Sequence, residues 1–483
     1  SDWIINMRLI GGNISDTPVK EIADGSAFNV GGGGSSEPPS LIDFGTPTTV
    51  ATFSNIGGCT TNIGLSAGNA IGGKNMDICV WSPLSTSVFY VDSTDSHKLK
   101  HVRLSFNADG TLASESAEQD LNSLMAIGVN TDMIVIDKVS SSRCTLTWVK
   151  EASTRSFVVA CFDLSGDTIS LHGALQTRTT TWNNAFAFRC AATCLLDADH
   201  LALFAQRQPA NGATRTATNR SLPEMSIIKF TTTQSVGAWT VGTGEIDYLS
   251  NGQGTGGCAN SDADSGKVFY NDGYKVYTEW TWSGTTATFG QTLLTAPAFG
   301  WPAGQNNGGM HATKYRHDIE AGRCLSAGSQ PIVSGPGATH YLMDGRVTKG
   351  QRHVTIAPYS ALEYAANNYN LYYTSYFGHM KGESNTIDYD ENTFWERQFM
   401  PGTSYESMED IRIFPTAINW KTGQTVPIVP ADKITFSLGS GFAGYCGPLC
   451  WLTGDAETTI FIIKPGIISG TNLTQYVSIP FTK

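Results

Sequence analysis

The chain has 483 residues, of which 51 are glycine and 15% are charged, whereas charged residues make up roughly 25% of an ordinary soluble domain. Its net charge of −11 and its pI near 5.3 exclude the basic surface that nucleic acid requires, so no nucleic-acid partner is expected. Few residues are strong helix formers, and the many Gly, Ser, Thr and Asn residues favour strands and turns. The composition therefore predicts an all-β protein.

Residues 1–44 are predicted to form an extended N-terminal arm or linker. The sequence NVGGGGSSEPPS, from Asn29 to Ser40, has too little apolar surface to form a core. We expect an arm that becomes ordered when it binds a partner, with an unstructured tail as the alternative. We find no secretory signal, and no apolar run reaches the length of about 18 residues that a membrane span needs, so membrane insertion is not expected.

After the arm, one pattern recurs: an apolar strand, a short polar turn and a second strand. The clearest copy is SFVVACFDLSGDTISLH, from Ser156 to His172, with Gly166 in its turn. Aromatic residues mark the corresponding position in four copies: Phe106, Phe162, Phe230 and Trp282. Two more strands precede each hairpin, which gives four strands in a unit of about 50 to 65 residues.

A repeated four-stranded meander of this length predicts a β-propeller of six or seven blades, with serial β-sandwich domains as the alternative. A single unit cannot bury both faces of its sheet, so the units must stack around an axis. The propeller body would be residues 45–483. Its blades are predicted at residues 74–118, 130–176, 188–243, 256–297, 318–360 and 365–430, with a closing blade from 45–70 plus 431–483.

The sequence NSDADSG, from Asn260 to Gly266, is a candidate cation site. Asn260, Asp262 and Asp264 stand at alternate positions, which can direct their side-chain oxygens toward Ca²⁺. The distal glutamate and the flanking helices of an EF-hand are missing. The alternative interpretation is a solvated polar turn between strands, and in that case the protein has no cofactor.

The sequence HATKYRHD, which begins at His311, is the candidate catalytic site. His311, Tyr315 and His317 could act as general base and acid, and Arg316 could neutralise the carboxylate of a uronate. A polysaccharide lyase would need this chemistry. The favoured alternative is a polar loop whose side chains cap strands, in a protein with no catalytic residues.

A region dense in aromatic residues, from Tyr359 to Phe399, is the candidate binding surface. Tyr and Trp rings present flat amphipathic faces to sugars and to proteins. The candidate contacts are Tyr372, Tyr373, Tyr376, His379, Tyr389 and Trp395. The alternative is that these aromatic residues fill the core of a blade.

The ten cysteines are predicted to be small buried apolar residues, most clearly Cys161 inside its strand. Two pairs are closely spaced, Cys190 with Cys194 and Cys446 with Cys450, and neither has the spacing of a zinc site. Disulfides that form in an oxidising medium are the alternative, and Cys446 with Cys450 is the candidate local pair.

The low-charge all-β composition, the absence of a signal and the Gly-rich arm together resemble structural proteins of tailed-bacteriophage virions. The sequence IGGNISDTP, from Ile10 to Pro18, is similar to the Gly-Gly-Ile-Ser opening of podophage tail nozzle proteins. The resemblance implies a tail, baseplate or fibre component that carries a β-propeller. It transfers no catalytic residues to this chain.

We therefore expect a non-enzymatic virion protein that is anchored by its arm and displays loops to neighbouring proteins or to a host surface glycan. It would be a homo-oligomer, made in the host cytoplasm and located in the virion. One alternative is a secreted polysaccharide lyase or glycosidase on a β-propeller. The other is a lectin-like propeller that only binds carbohydrate.

Overall fold

A computed structural model describes part of the chain in a series of segments. These are residues 37–57, 76–92, 94–126, 131–150, 156–179, 186–209, 222–230, 235–236, 240–241, 267–271, 275–295, 310–316, 323–329, 338–344, 347–348, 351–352, 386–403, 410–419, 425–428, 434–437, 442–443, 449–452, 457–468 and 471–482. Most of these residues lie in strands, and the one helix described is α1 (Leu121–Met125), so the protein is all-β. Within these segments, no helix has the length and hydropathy needed to cross a membrane.

The strands form antiparallel sheets that follow one another along the chain. The terminal sheet contains strands from both ends: β1 (Asp43–Phe44), β2 (Ala51–Thr52), β31 (Phe442–Ala443), β32 (Leu449–Leu452), β33 (Glu457–Ile468) and β34 (Thr471–Thr482). The first meander contains β3 (Met76–Ser82), β4 (Ser85–Asp92), β5 (Lys98–Phe106), β6 (Leu112–Glu115) and β7 (Gln119–Asp120). The second contains β8 (Thr131–Ser140), β9 (Arg143–Lys150), β10 (Ser156–Ser165), β11 (Thr168–Leu171) and β12 (Gln176–Thr179).

Four more meanders complete the series. The third contains β13 (Phe186–Leu195), β14 (His200–Pro209), β15 (Leu222–Lys229), β16 (Ser235–Val236) and β17 (Thr240–Val241). The fourth contains β18 (Lys267–Asn271), β19 (Lys275–Ser283) and β20 (Thr286–Thr295), and the fifth contains β21 (Met310–Arg316), β22 (Arg323–Ser329) and β23 (Ala338–Asp344). After the separate pair β24 (Val347–Thr348) and β25 (Gln351–Arg352), the sixth contains β26 (Thr386–Asp390), β27 (Trp395–Thr403), β28 (Asp410–Asn419), β29 (Thr425–Pro427) and β30 (Ile434–Ser437).

Some sheets begin or end away from the predicted blade boundaries. The fifth meander begins at Met310, before the predicted start at residue 318, because HATKYR forms strand β21 instead of a loop. Thr and Tyr favour a strand, and they override the polar character of this sequence. The sixth meander continues to Ser437, beyond the predicted end at residue 430.

The fourth position of a meander is filled by two short strands instead of one long one. In the first meander, β6 and β7 both pair with β5, at opposite ends of that strand. The same arrangement places β11 and β12 on β10, β16 and β17 on β15, and β29 and β30 on β28. In the first and second meanders, where the connecting residues are described, a short excursion of the chain (116–118 and 172–175) separates the two halves. The repeated unit therefore includes a fourth strand that is divided into two short strands.

Both faces of the first meander are covered. One face packs against the second meander in a core that includes Trp81, Phe89, Trp148 and Phe162. The other face contributes Tyr90 and further apolar residues to a core shared with the segment before β3 and with the terminal sheet. All eight residues of β4 are buried because its sheet is enclosed on both sides.

The hairpin that joins β10 to β11 has the predicted glycine turn. Ser165 pairs with Thr168, so the loop between them has two residues, and Gly166 at its first position has φ +58°. Gly284 has φ +57° at the corresponding position between β19 and β20. A glycine with positive φ at the first loop position is typical of the type II′ turn, which matches the twist of the flanking strands.

Candidate functional site

Most of the predicted site residues lie outside the described residues. They are Asn260, Asp262, Asp264, His317, Tyr372, Tyr373, Tyr376, His379 and Cys446. The structure places His311, Tyr315 and Arg316 in β21 and Cys450 in β32. In the part of the chain that the structure describes, no group of three His, Cys, Asp or Glu residues could hold a metal ion. The catalytic, calcium and disulfide sites remain predictions.

Two of the predicted aromatic contacts are described. Trp395 is only 4% exposed at the start of β27, and Tyr389 is half-buried in β26. A buried ring offers no flat face to a ligand, so Trp395 is a core residue, as the alternative interpretation of this region had it. Tyr389 stays a predicted contact.

The most extensive polar arrangement holds residues 37–57, which we call the N-terminal strap. The strap begins on the sixth meander, where Arg397 donates from Nη1 to the backbone oxygen of Ser40 at 3.2 Å. Arg397 also donates from Nε to Asp388 at 2.8 Å, which compensates a guanidinium that is only 8% exposed. Ile42 donates its N–H to the backbone oxygen of Ile428 at 2.6 Å, and its side chain is fully buried. Part of the predicted arm therefore belongs to the folded body.

The middle of the strap joins the terminal sheet. β1 and β2 both pair antiparallel with β34, β1 at its C-terminal end and β2 near its middle. Between them, the N–H of Gly45 donates to the backbone oxygen of Pro480 and that of Thr48 to Ser478, each at 2.8 Å. A Cβ atom at Gly45 would lie 2.7 Å from Cγ of Pro480, so a larger residue there would push the strap away from the sheet.

The end of the strap contacts the first meander. Phe53 stacks on Tyr476 of the terminal sheet, with 4.6 Å between the ring centroids. The next two N–H groups, of Ser54 and Asn55, donate to the two carboxylate oxygens of Glu115 at 2.9 and 2.7 Å. Glu115 thus binds the strap through the backbone of two consecutive residues, and such charge-assisted bonds are the stronger class.

A buried tyrosine continues this contact. The N–H of Gly57 donates to the Tyr90 hydroxyl at 3.1 Å, and that hydroxyl donates to Glu118. Burial, and then the hydrogen bond to Glu118, raise the pKa of Tyr90 above its ordinary value, so the phenol stays protonated. Lys100 donates to both Glu118 and Asp95 at 2.7 Å, and Lys98 pairs with Asp95 at 3.1 Å, so two lysines face the two carboxylates. These groups position the strap.

A second polar cluster lies at the hairpin of β10 and β11. Asp163 accepts a hydrogen bond from Nε of Arg143 at 2.7 Å, and Nδ1 of His172 lies 2.7 Å from its other oxygen. Burial raises the pKa of Asp163, but the hydrogen bonds with Arg143 and His172 outweigh burial and hold it below the usual range. The cluster connects strands β9 and β10 to the residue that follows β11.

A third polar group contains a serine and a histidine, the residue types of a nucleophile and a general base. Nε1 of Trp81 donates to Oγ of Ser87 at 2.7 Å, which leaves the Ser87 proton for Nε2 of His101, also at 2.7 Å. Ser87 and His101 are both fully buried, so a substrate cannot reach them. Burial lowers the pKa of His101 to about 4 and keeps its ring neutral. The group is therefore a polar chain within the core.

The sequence analysis missed these contacts because the partners come from different strands. One feature of the sequence could have indicated that the strap is part of the folded body. It is the set of apolar residues Ile42, Phe44, Val50 and Phe53, in a segment that the sequence analysis assigned partly to the arm. No local pattern pairs Tyr90 with Glu118 or Ser87 with His101. Their juxtaposition depends on the register of β4 and β5 and on the path of the chain between β6 and β7.

No family model and no curated protein matches the chain. Among solved structures, it is similar to the Nup170 N-terminal domain in the Nup170–Nup53 complex of Chaetomium thermophilum, with a TM-score of 0.41 and 7% identity over 83% of this chain and 58% of that one. It is also similar to a puromycin-hydrolysing peptidase of Mycobacterium tuberculosis, with a TM-score of 0.29 and 8% identity over 86% of this chain and 61% of that one. The chain spans less than two thirds of either protein, and at these TM-scores neither likeness establishes a common fold or function.

The substitution Tyr90→Phe is expected to destabilise the protein by about 1 to 3 kcal/mol, because it leaves the Gly57 N–H and the Glu118 carboxylate without their shared partner. The urea midpoint and the hydrogen exchange of the Gly57 amide would measure this effect. Tyr476→Phe is the matched control, since it keeps the ring that stacks on Phe53 and should change stability by less than about 0.5 kcal/mol. Equal midpoints for the two variants would refute this role of the Tyr90 hydroxyl.

Proposed function

We propose that the chain is a closed β-propeller of seven blades whose ring is completed by the N-terminal strap. Seven of the described sheets have three or more strands. In the terminal sheet, β1 and β2 pair with two separate parts of β34, just as β6 and β7 pair with two separate parts of β5. The strap thus supplies the divided fourth strand of the last blade. This pairing is the observation on which the proposal rests.

The order of contacts between sheets also supports a ring. The first strands of successive meanders lie side by side, with β3 against β8, β8 against β13, and β18 against β21. In the terminal sheet, β32 lies against β3. First strands that follow one another in this way are expected around the axis of a propeller, and a series of separate sandwiches would not place β32 beside β3.

We further propose that the chain is a non-enzymatic structural or attachment protein of a tailed-phage virion. The low charge, the Gly-rich N-terminal region and the resemblance of residues 10–18 to tail nozzle proteins support this role. A closed ring has no free sheet edge at its junction, which suits a protein that must stay folded outside a cell. The strap is held to the sixth meander near its first residue, Glu37, so a partner that bound residues 1–36 would be tethered at a fixed point of the body. The partners would be other virion proteins, further copies of the chain, or a host glycan.

Assembly of the full chain would be compared with that of a chain lacking residues 1–36. Native mass measurement and co-purification with phage particles would report assembly, and urea unfolding would report the integrity of the body. We expect the full chain to form a defined oligomer or to enter particles, and the shortened chain to stay folded but not to assemble.

Two outcomes would contradict the proposal. The first is normal incorporation of the shortened chain into particles, or a full chain that remains a monomer and never associates with them. The second is release of unsaturated uronates or of reducing ends from acidic polysaccharides, with loss of that activity in His311→Ala. That result would instead support the lyase or glycosidase that the sequence offered as an alternative.

A further inference from the structure

Two cysteines lie where the first and second meanders meet. Cys79 is in β3, between two residues that contact the second meander. On one side of it, the N–H of Ile136 donates to the Asp77 carboxylate at 2.8 Å. On the other side, Nζ of Lys138 donates to the backbone oxygen of Trp81 at 3.0 Å. Cys79 is therefore fixed at the centre of the contact between β3 and β8.

Cys144 approaches the same point from the second meander. It lies in β9, opposite Lys138 of β8 in the strand register. Cys79 and Cys144 belong to one apolar cluster and are 2% and 0% exposed. Both are free thiols in this structure. Two buried thiols from different sheets thus face the same core where β3 meets β8.

A third buried cysteine has the opposite orientation. Cys161 is 1% exposed in β10, but its neighbours Ala160 and Phe162 belong to the cluster around Cys144 and it does not. Phe162 is the register partner of Cys144, so Cys161, one residue away, points to the other face of the sheet. Cys161 therefore has the same burial as Cys144 and cannot reach Cys79.

We propose that Cys79 and Cys144 are a disulfide site that covalently joins the first and second meanders when the protein meets a small disulfide oxidant such as oxidised glutathione. One cysteine thiolate attacks oxidised glutathione, forms a mixed disulfide and releases one reduced glutathione. The other thiolate attacks the protein sulfur of that mixed disulfide and releases the second glutathione. The protein loses two protons and two electrons, and the electrons reduce the oxidant.

The environment of the site determines when this reaction occurs. Burial, and then the contact with Cys79, raise the pKa of Cys144 well above its ordinary value, so the Cys144 thiol is scarcely ionised while the two meanders are packed together. The bond forms during transient separation of the two meanders, and closing them brings the sulfur atoms together. The reduced protein is therefore stable in a reducing compartment and becomes cross-linked slowly in an oxidising one.

The folded, reduced full chain would be incubated with a mixture of reduced and oxidised glutathione until its thiol content is constant. Remaining thiols would be blocked with N-ethylmaleimide, and tryptic peptides would be analysed by mass spectrometry. The three cysteines fall in separate tryptic peptides, residues 75–98, 144–150 and 156–178. We expect the first two peptides to be joined in most molecules, two hydrogen atoms lighter than their sum, and the third to carry the blocking group.

The matched variants are Cys79→Ala, Cys144→Ala and Cys161→Ala. Either of the first two should abolish the joined peptide, and the third should leave its yield unchanged. Complete blocking of Cys79 and Cys144 after oxidation would overturn the proposal. It would also fail if the peptide of Cys161 joined either partner as often as the two partners joined each other, because that pattern indicates random pairing in unfolded molecules.

Discussion

A chain that lacks residues 1–57 is expected to lose its cooperative fold, whereas a chain that lacks residues 1–36 is expected to keep it. The strap contributes three buried apolar side chains, Ile42, Phe53 and Ile56. Each should stabilise the protein by about 1.5 to 3 kcal/mol, so their joint loss approaches the net stability of about 5 to 15 kcal/mol of a typical protein. Circular dichroism during urea unfolding would measure the difference.

An intermediate truncation separates the two parts of the strap. Removing residues 1–44 deletes Ile42 and the contact of Arg397 with Ser40, but keeps Phe53 on Tyr476. Its urea midpoint should therefore lie between those of the other two truncated chains. If the chain without residues 1–57 unfolded at the same urea concentration as the full chain, the strap would not be part of the stable body.

Acid is expected to destabilise the protein through one buried histidine. Burial lowers the pKa of His101 to about 4 in the folded state, from its ordinary value of 6.5. Because the folded pKa is the lower one, the stabilising contribution is complete above pH about 6.5 and disappears as the pH falls toward 4. A shift of this size corresponds to a loss of about 3 kcal/mol over that range. Urea unfolding at a series of pH values would show it.

The variant His101→Gln tests the source of this dependence. Glutamine retains a polar group near Ser87 but does not titrate, so the variant should be less stable at neutral pH and lose less stability in acid. His172→Gln is the control, since this histidine is only partly buried, beside Asp163. A profile for His101→Gln that stays parallel to that of the unchanged protein would assign the acid effect to other groups.

Local features of the fold were predictable from the sequence, and long-range ones were not. The hairpin of β10 and β11 follows from an apolar run, a Gly-Asp turn and a second strand, all within Ser156–Leu171. The strap illustrates the limit, because the contact of Thr48 with Ser478 joins residues 430 positions apart. No periodicity in the sequence specifies such a register. The predicted propeller implies that the two ends of the chain should pair, but not which residues meet.

The candidate sites show the same limit in a different way. The sequence analysis selected dense local clusters, such as the three oxygens at Asn260, Asp262 and Asp264. The polar contacts that the structure describes instead join residues from separate strands, as between Ser87 and His101 or between Gly57 and Tyr90. Such pairs depend on strand register, and Ser, His and Tyr have many chemically equivalent partners along the chain.

The interrupted fourth strand has a consequence for how this protein can vary. An insertion between β6 and β7, or between β11 and β12, lengthens only the segment that connects the two short strands and displaces no strand residue. These connecting segments already carry polar contacts: Glu118 accepts a hydrogen bond from Tyr90, and His172 lies against Asp163. These two meanders can therefore acquire new surface chemistry through longer connecting segments, while their strands keep their alignment.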